Sequence, residues 1–412
     1  MTPTPSRSPR RAVLALAGFT AVACAPKWKT ETLIDPREVA RALDDPAHIG
    51  TVFDPSSVPL FDPPEKLRPC CAFGQDLTVK VGQLPLPDLL KNVLGVDDLG
   101  PHAYDRGSAT RERNGLVYTC RGGFIDIAHV RDNADRALFL SLRIARALPS
   151  GVTVDMPWEG TGRRIVVAPL PEGVLERHGR WQVATALAAW ANHQLSNWHE
   201  VVTWYGWESV KGVPERVSAF SPEDIYSNTL GTKLGVGLVM NREMRSREEY
   251  DAAMQAWLLE GLRRLGVVSR DEAHAAMRAV DGRWWDSNSA VPEFKLVLKR
   301  SLDVAAPSRG WIVADTVDDP KLKTMCQDSP PPLALTLPEK LGELAIAELV
   351  DVRFEFTNKW IPEKFPIAVA EGTVVGPEQL PQIIEDVRAG GQIQLGPGFD
   401  DPKARPEKDA AR

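Results

Sequence analysis

An α+β fold is predicted for this chain: a helix-rich central domain with short strands, followed by a small mixed C-terminal unit. Three observations predict it. Stretches between residues 123 and 265 carry apolar residues at helical spacing. Short runs such as Leu77–Val81, bounded by Gly or Pro, read as strands. From Val350 to Phe356 apolar and polar residues alternate, the pattern of a half-buried strand.

The N-terminal residues come first. Met1 to Arg11 is basic without an acid, and Ala12 to Ala23 is apolar and ends in small residues. This is the pattern of a secretory signal over residues 1–23. The apolar run is too short to span a bilayer, which takes about 20 residues. Cys24 directly after Ala21-Val22-Ala23 resembles a bacterial lipobox, with Ala21 where Leu is usual. Cys24 is therefore expected to be lipidated, making the membrane a partner through a lipid anchor. Ordinary cleavage with an incidental cysteine is the alternative. Arg10-Arg11 also suits twin-arginine export, and Ala25-Pro26 without a following Asp suits outer-membrane sorting. The expected location is the periplasmic face of the bacterial cell envelope.

Residues 24–65 read as the lipidated N-terminus and a Pro-rich tether, as in Asp54-Pro55-Ser56-Ser57 and Phe61-Asp62-Pro63-Pro64. The core domain is placed at 66–328. Its strand candidates are Leu77–Val81, Leu116–Cys120 and Arg164–Ala168, and its helical stretches Gly123–Leu148 and His178–Tyr205. Ser221-Pro222-Glu223-Asp224 reads as a helix start with Ser as N-cap, Pro at the first position and acids in the first turn. Ser246-Arg247-Glu248-Glu249 opens another helix, to Leu265, with a capping box. Pro330-Pro331-Pro332 marks a boundary before a small α/β unit at 333–392. In it Ile367–Ala370 is the expected partner of the 350–356 strand, and Pro377–Arg388 a helix stopped by Gly390-Gly391. Residues 393–412 are polar and read as a disordered tail.

The formal net charge of −6 offers no basic footprint for nucleic acid. Besides Cys24, Cys70, Cys71, Cys120 and Cys326 suffice for one or two disulfides in an oxidising compartment, with connectivity open. No C-x-x-C spacing suggests a zinc knot.

The chemistry concentrates in two helical stretches. At 100° per residue Asp126 and Asp132 each lie about 60° from His129, to either side of it on one face. Carboxylates flanking an imidazole either share a metal with it or fix its tautomer. In the second stretch His193, Ser196, Asn197, Glu200 and Thr203 make a polar arc with His199 at its edge, opposite Ala188, Ala191, Leu195, Trp198 and Val202. Five of the 12 tryptophans fall between Trp181 and Trp207, so this helix is expected inside the protein. Helix pairs build metal sites from imidazoles and carboxylates in this way. His199-Glu200-Val201-Val202-Thr203 begins like a zinc-protease H-E-x-x-H helix, but Thr203 stands where the second His belongs. His193, nearly two turns away, is the remaining nitrogen donor. Glu208, Tyr226 and Asn228 are candidate pocket-wall residues, and Trp284-Trp285 either core anchors or a stacking platform.

Three strings carry a family resemblance: Gly123-Phe124-Ile125-Asp126-Ile127-Ala128-His129-Val130-Arg131-Asp132, Trp198-His199-Glu200-Val201-Val202-Thr203-Trp204-Tyr205-Gly206, and Phe220-Ser221-Pro222-Glu223-Asp224-Ile225-Tyr226-Ser227-Asn228. In these the chain resembles a bacterial domain-of-unknown-function family, number 4056, of envelope lipoproteins, over roughly Cys70 to Arg300. The resemblance implies an envelope lipoprotein and no mechanism.

The residues themselves lead to a metal-dependent hydrolase. His129, Asp132, His199 and His193 are the metal-ligand candidates. Glu200 is the general base, and Asp126 a catalytic or supporting carboxylate. Zinc suits the donor set best, with manganese or iron as alternatives. Two rivals stand beside it: a metal-free glycan-cleaving enzyme using Glu200 with Asp126 or Asp132, and a non-catalytic lipid-tethered structural or interaction protein in which the polar helices are internal glue.

Overall fold

The computed structural model describes residues 34–45, 53–68, 72–81, 84–106, 111–209, 212 and 214–405. The signal segment, Cys24, Cys70 and Cys71 lie outside the described residues.

Among the described residues the first elements are α1 (Pro36–Asp44), the hairpin β1 (Leu77–Val81) and β2 (Leu84–Leu90), and the hairpin β3 (Leu116–Thr119) and β4 (Gly123–Asp126). The next elements are α2 (Ile127–Ala147), β5 (Val152–Glu159), β6 (Thr161–Val167), α3 (Val174–His178) and α4 (Arg180–Trp204). They are followed by α5 (Asp224–Met240), α6 (Arg247–Arg264), α7 (Arg270–Ala279) and α8 (Pro320–Met325). The last elements are β7 (Lys340–Leu341), β8 (Leu344–Ala345), β9 (Val350–Glu355), β10 (Val374–Val375) and α9 (Leu380–Leu395). The class is α+β, as predicted.

The centre is a bundle of α2, α4 and α5. Two glycines one turn apart on α5 set how closely it meets α2. A Cβ at Gly231 would stand 2.2 Å from the Val130 carbonyl oxygen, and one at Gly235 2.6 Å from that of Ala134. Only a bare backbone fits there, so the polar groups on the two helices are drawn within hydrogen-bond reach. An antiparallel sheet of order β10-β9-β6-β5 packs on α4. The seam is held by Trp198, fully buried and stacked on Phe354 with ring centroids 4.2 Å apart. Burying an indole of roughly 200 Å² contributes at most about 5 kcal/mol at about 25 cal/mol per Å².

Several elements differ from expectation for identifiable reasons. Gly123–Asp126 is strand, not helix: it pairs with β3, and Asp126 becomes the N-cap of α2, accepting from Ala128 N at 2.7 Å. The 178–205 stretch breaks at Gly179, whose φ of 77° separates α3 from α4. The α5 helix starts at Asp224, later than a Ser221 cap requires, and the Ser221 N–H donates to Asp224 Oδ2 at 2.7 Å. Ser246 does cap α6, accepting from Glu249 N. The partners of β9 are β6 and β10, not Ile367–Ala370. Gly390-Gly391 does not stop α9; the bare Gly391 instead admits the Phe399 ring, whose nearest atom would lie 2.3 Å from a Cβ.

The segment read as a tether contains α1, whose Val39 and Leu43 are buried in the main core. In the segment read as a disordered tail, Phe399 is buried and its carbonyl accepts from Arg300 N at 2.9 Å, while residues 406–412 lie outside the described residues. Cys120 bridges to Cys326 with Cα atoms 5.4 Å apart. Trp284 and Trp285 are core residues. No described helix is long and apolar enough to cross a membrane.

Candidate metal centre

The bundle brings one face of each helix to a common point. His129, in the first turn of α2, has its Nδ1 2.9 Å from Asn228 Oδ1 on α5 and 3.7 Å from Glu200 Oε1 on α4. Its Nε2 is 3.8 Å from Asp224 Oδ1. Asn228 is fixed from a second side by Asn133 Nδ2, which donates to Oδ1 at 2.5 Å. With the Asn228 oxygen accepting, Nδ1 carries the imidazole proton, and Nε2 is the nitrogen that could serve as a ligand atom.

Glu200 is buried and held at both oxygens. Oε2 accepts from Phe220 N at 2.9 Å, and Oε1 from Asn228 Nδ2 at 3.4 Å. Phe220 sits at a φ of 55°, a left-handed conformation unusual for a non-glycine residue. Its carbonyl is tied to Ser301 N at 2.8 Å, so both sides of this strained residue are fixed while its N–H points at Glu200. Strain of this kind costs of order 1–3 kcal/mol and collects at functional sites.

His199 is edge-on to His129, ring centroids 5.8 Å apart. Its Nδ1 lies 2.6 Å from Glu159 Oε1, at the end of β5. A register shift between Met156 and Glu159 bends the strand there and aims Glu159 inward. Glu159 also pairs with Arg163. Burial pushes the Glu159 carboxyl up, but Arg163 and His199 together hold it down at about 2. Burial alone would lower His199; the Glu159 hydrogen bond and charge outweigh it and raise the imidazole to about 8. A carboxylate on one ring nitrogen orients the other toward a metal.

The carboxylates around His129 are the most unusual feature. Glu223 and Asp224 are buried, and burial together with mutual repulsion and that of Asp126 and Glu200 raises both well above the ordinary carboxylate range. Neither Glu223 oxygen has a hydrogen-bond partner on another residue, and Asp224 Oδ1 has none. Arg300 is the nearby buried cation; desolvation pushes it down to about 9 against the pull of Asp224 and Glu223. Buried carboxylates left bare to this degree require a proton or a cation. Two ligand sets have donor atoms all within 4.8 Å of one another among the described residues: His129 with His199 and Glu200, and Asp126 with His129 and Asp224. Imidazole plus carboxylate is a donor set for zinc, manganese or iron.

Of the residues singled out from sequence, Asp126, His129, His199 and Glu200 are thus brought together. Asp132 is not part of either set; it receives Arg68 Nη1 at 2.6 Å and Arg68 N at 3.0 Å, but it lines the same small cavity as His129 and His199. His193 is placed apart, its Nε2 2.8 Å from the Val304 carbonyl and 3.2 Å from Asn197 Nδ2. Tyr226 donates to the Leu333 carbonyl and Glu208 accepts from Gly212 N, neither at the centre. Sequence reasoning missed Glu159, Glu223 and Asp224 as site residues. The latter two read as ordinary first-turn acids of α5, and nothing local marks Glu159, whose role arises from a strand bulge.

A family model for proteins of unknown function, DUF4056, matches residues 58–310, and the chain belongs to that family. No curated protein and no solved structure matches it.

Proposed function

We propose that this member of the DUF4056 family is a divalent-metal-dependent hydrolase with its centre between α2, α4 and α5. The observation that carries the proposal is the convergence of His129 Nε2 on the bare Asp224 Oδ1, 3.8 Å away, in a buried cluster of acids. His129, Asp224 and Asp126 would hold the ion, with His199, steered by Glu159, beside them in a second group with His129 and Glu200. A divalent ion there would supply Lewis acidity and lower the pKa of a water it binds toward about 7. Glu200, fixed by Phe220 N and Asn228, is placed to take the proton. The cavity beside His129 and His199 is also lined by Asn133, Arg136 and Asn228.

Elemental analysis of the purified chain beside its His129→Ala and His199→Ala variants tests this. One equivalent of zinc, manganese or iron in the parent, lost from both folded variants, is the expected result. A metal-free parent that takes up no added ion would refute the centre and leave the cluster as buried polar glue.

A further inference from the structure

The cavity beside the two imidazoles is also lined by two arginines in opposite circumstances. Arg68 is fully compensated. Its Nη1 reaches Asp132 at 2.6 Å and Asp135 at 3.0 Å, and its Nε reaches Glu112 at 2.9 Å. Arg136, on the next turn of α2, is only 5% exposed. It gives one hydrogen bond, from Nη2 to the neutral Asn133 Oδ1 at 2.9 Å, and its buried Nε has no acceptor. No carboxylate lies within 4 Å of it among the described residues; the ion pairs formed there by Asp132 and Glu159 go to Arg68, Arg163 and His199.

A guanidinium does not shed its proton to relieve burial, so a buried one is ordinarily found with an anion. Here the only acceptor that Arg136 reaches among the described residues is an amide, and the cavity beside it is shared with Asp132, whose carboxylate is already paired with Arg68. That cavity leads to His129 and His199, and Asn133, which orients Arg136, also orients Asn228 against His129. The same helix α2 therefore carries the candidate ligand His129 and, two turns on, a guanidinium whose Nε is unpaired and which has no carboxylate within 4 Å among the described residues. The planar donor fork of a guanidinium suits phosphate and carboxylate oxygens.

We propose that Arg136 anchors an oxyanion of the substrate, a phosphate ester or a carboxylate, beside the ion held at His129. The substrate of the hydrolase is then anionic, with its charged group on Arg136 and its reacting bond toward the ion. The assignment rests on the metal-hydrolase proposal for its chemistry, but the anion site is measurable without it.

Titration calorimetry of the full chain with inorganic phosphate and with acetate, before and after chelation, tests it, with metal content measured on the same samples. The wild type is expected to bind at least one anion in both states. Arg136→Gln should weaken that binding tenfold or more with metal content unchanged, and Arg136→Lys, which keeps charge without the fork, should weaken it less. Preference for phosphate assigns a phosphate ester, and preference for acetate a carboxylate. Equal binding by wild type and Arg136→Gln, or no binding of either anion by the wild type, overturns the proposal. Should Arg136→Gln not fold, affinities unchanged in Arg136→Lys overturn it. Anion binding that depends on Arg136 in a chain holding no metal would refute the metal centre while retaining the anion site.

Discussion

Asp224→Asn separates a metal centre from a buried polar network, because the two give opposite consequences. The amide keeps the volume and retains an oxygen for the Ser221 N–H, now 2.7 Å from Oδ2. What it removes is a carboxylate among Glu200, Glu223 and Asp126 whose proton is held well above the usual range by burial and by those neighbours. In the unfolded chain that carboxyl ionises near about 4. The metal-free native state therefore binds more protons than the unfolded state above that pH, and its stability falls as pH rises. The amide abolishes this loss, so metal-free Asp224→Asn should be at least as stable as wild type at pH 7. With ion present the order reverses. At a free ion concentration 100 times Kd the wild type gains about 2.7 kcal/mol, and a variant bound 100-fold more weakly gains about 0.4 kcal/mol. These correspond to increases in Tm of about 3 °C and about 0.5 °C for a protein of this size. Thermal melts of both proteins, after chelation and with added zinc or manganese, give all four values. A metal-free variant less stable than wild type, or one with an undiminished shift on adding ion, would refute the reasoning.

Two other outcomes follow from the same geometry. In metal-free protein the raised His199 contributes about 2 kcal/mol, present in full below pH 6.5 and lost as pH rises through about 8; denaturant melts from pH 6 to 9 should show that decline in wild type and not in Glu159→Gln, and parallel profiles would dismiss the pair. Gly231→Ala forces a methyl to 2.2 Å from the Val130 carbonyl oxygen, so α2 and α5 must separate; a loss of about 1–3 kcal/mol is expected together with weakened metal binding, and wild-type stability and affinity in this variant would show that the glycine is not what sets the helix contact.

What could be read before folding follows the reach of local interactions. Leu77–Val81 was legible as β1 from its composition and bounding residues, and α6 from its Ser246 cap. That His129 and Glu200 come together was legible too, because ionisable groups inside apolar helical stretches demand partners. Helical spacing placed Asp126 on the wrong element, since the β3 hairpin that converts 123–126 to strand is a contact with another segment. Spacing also put His193 beside His199 on one helix, but which groups converge depends on the helices opposite, and His193 faces Val304.

The sequence by itself determined the α+β class, the buried character of the two His-bearing segments, the ionisable residues available to a centre, and the net charge. Only the tertiary structure decided which of those residues meet. Gly231 and Gly235 bring α5 against α2 and thereby Asp224 and Asn228 to His129. The bulge in β5 brings Glu159 to His199, and the left-handed Phe220 turns its N–H onto Glu200. The physical reason is common to all three. Local propensity acts over a few residues, whereas a site is made by groups 20 to 100 positions apart in the chain, joined only when close packing leaves them no other partner.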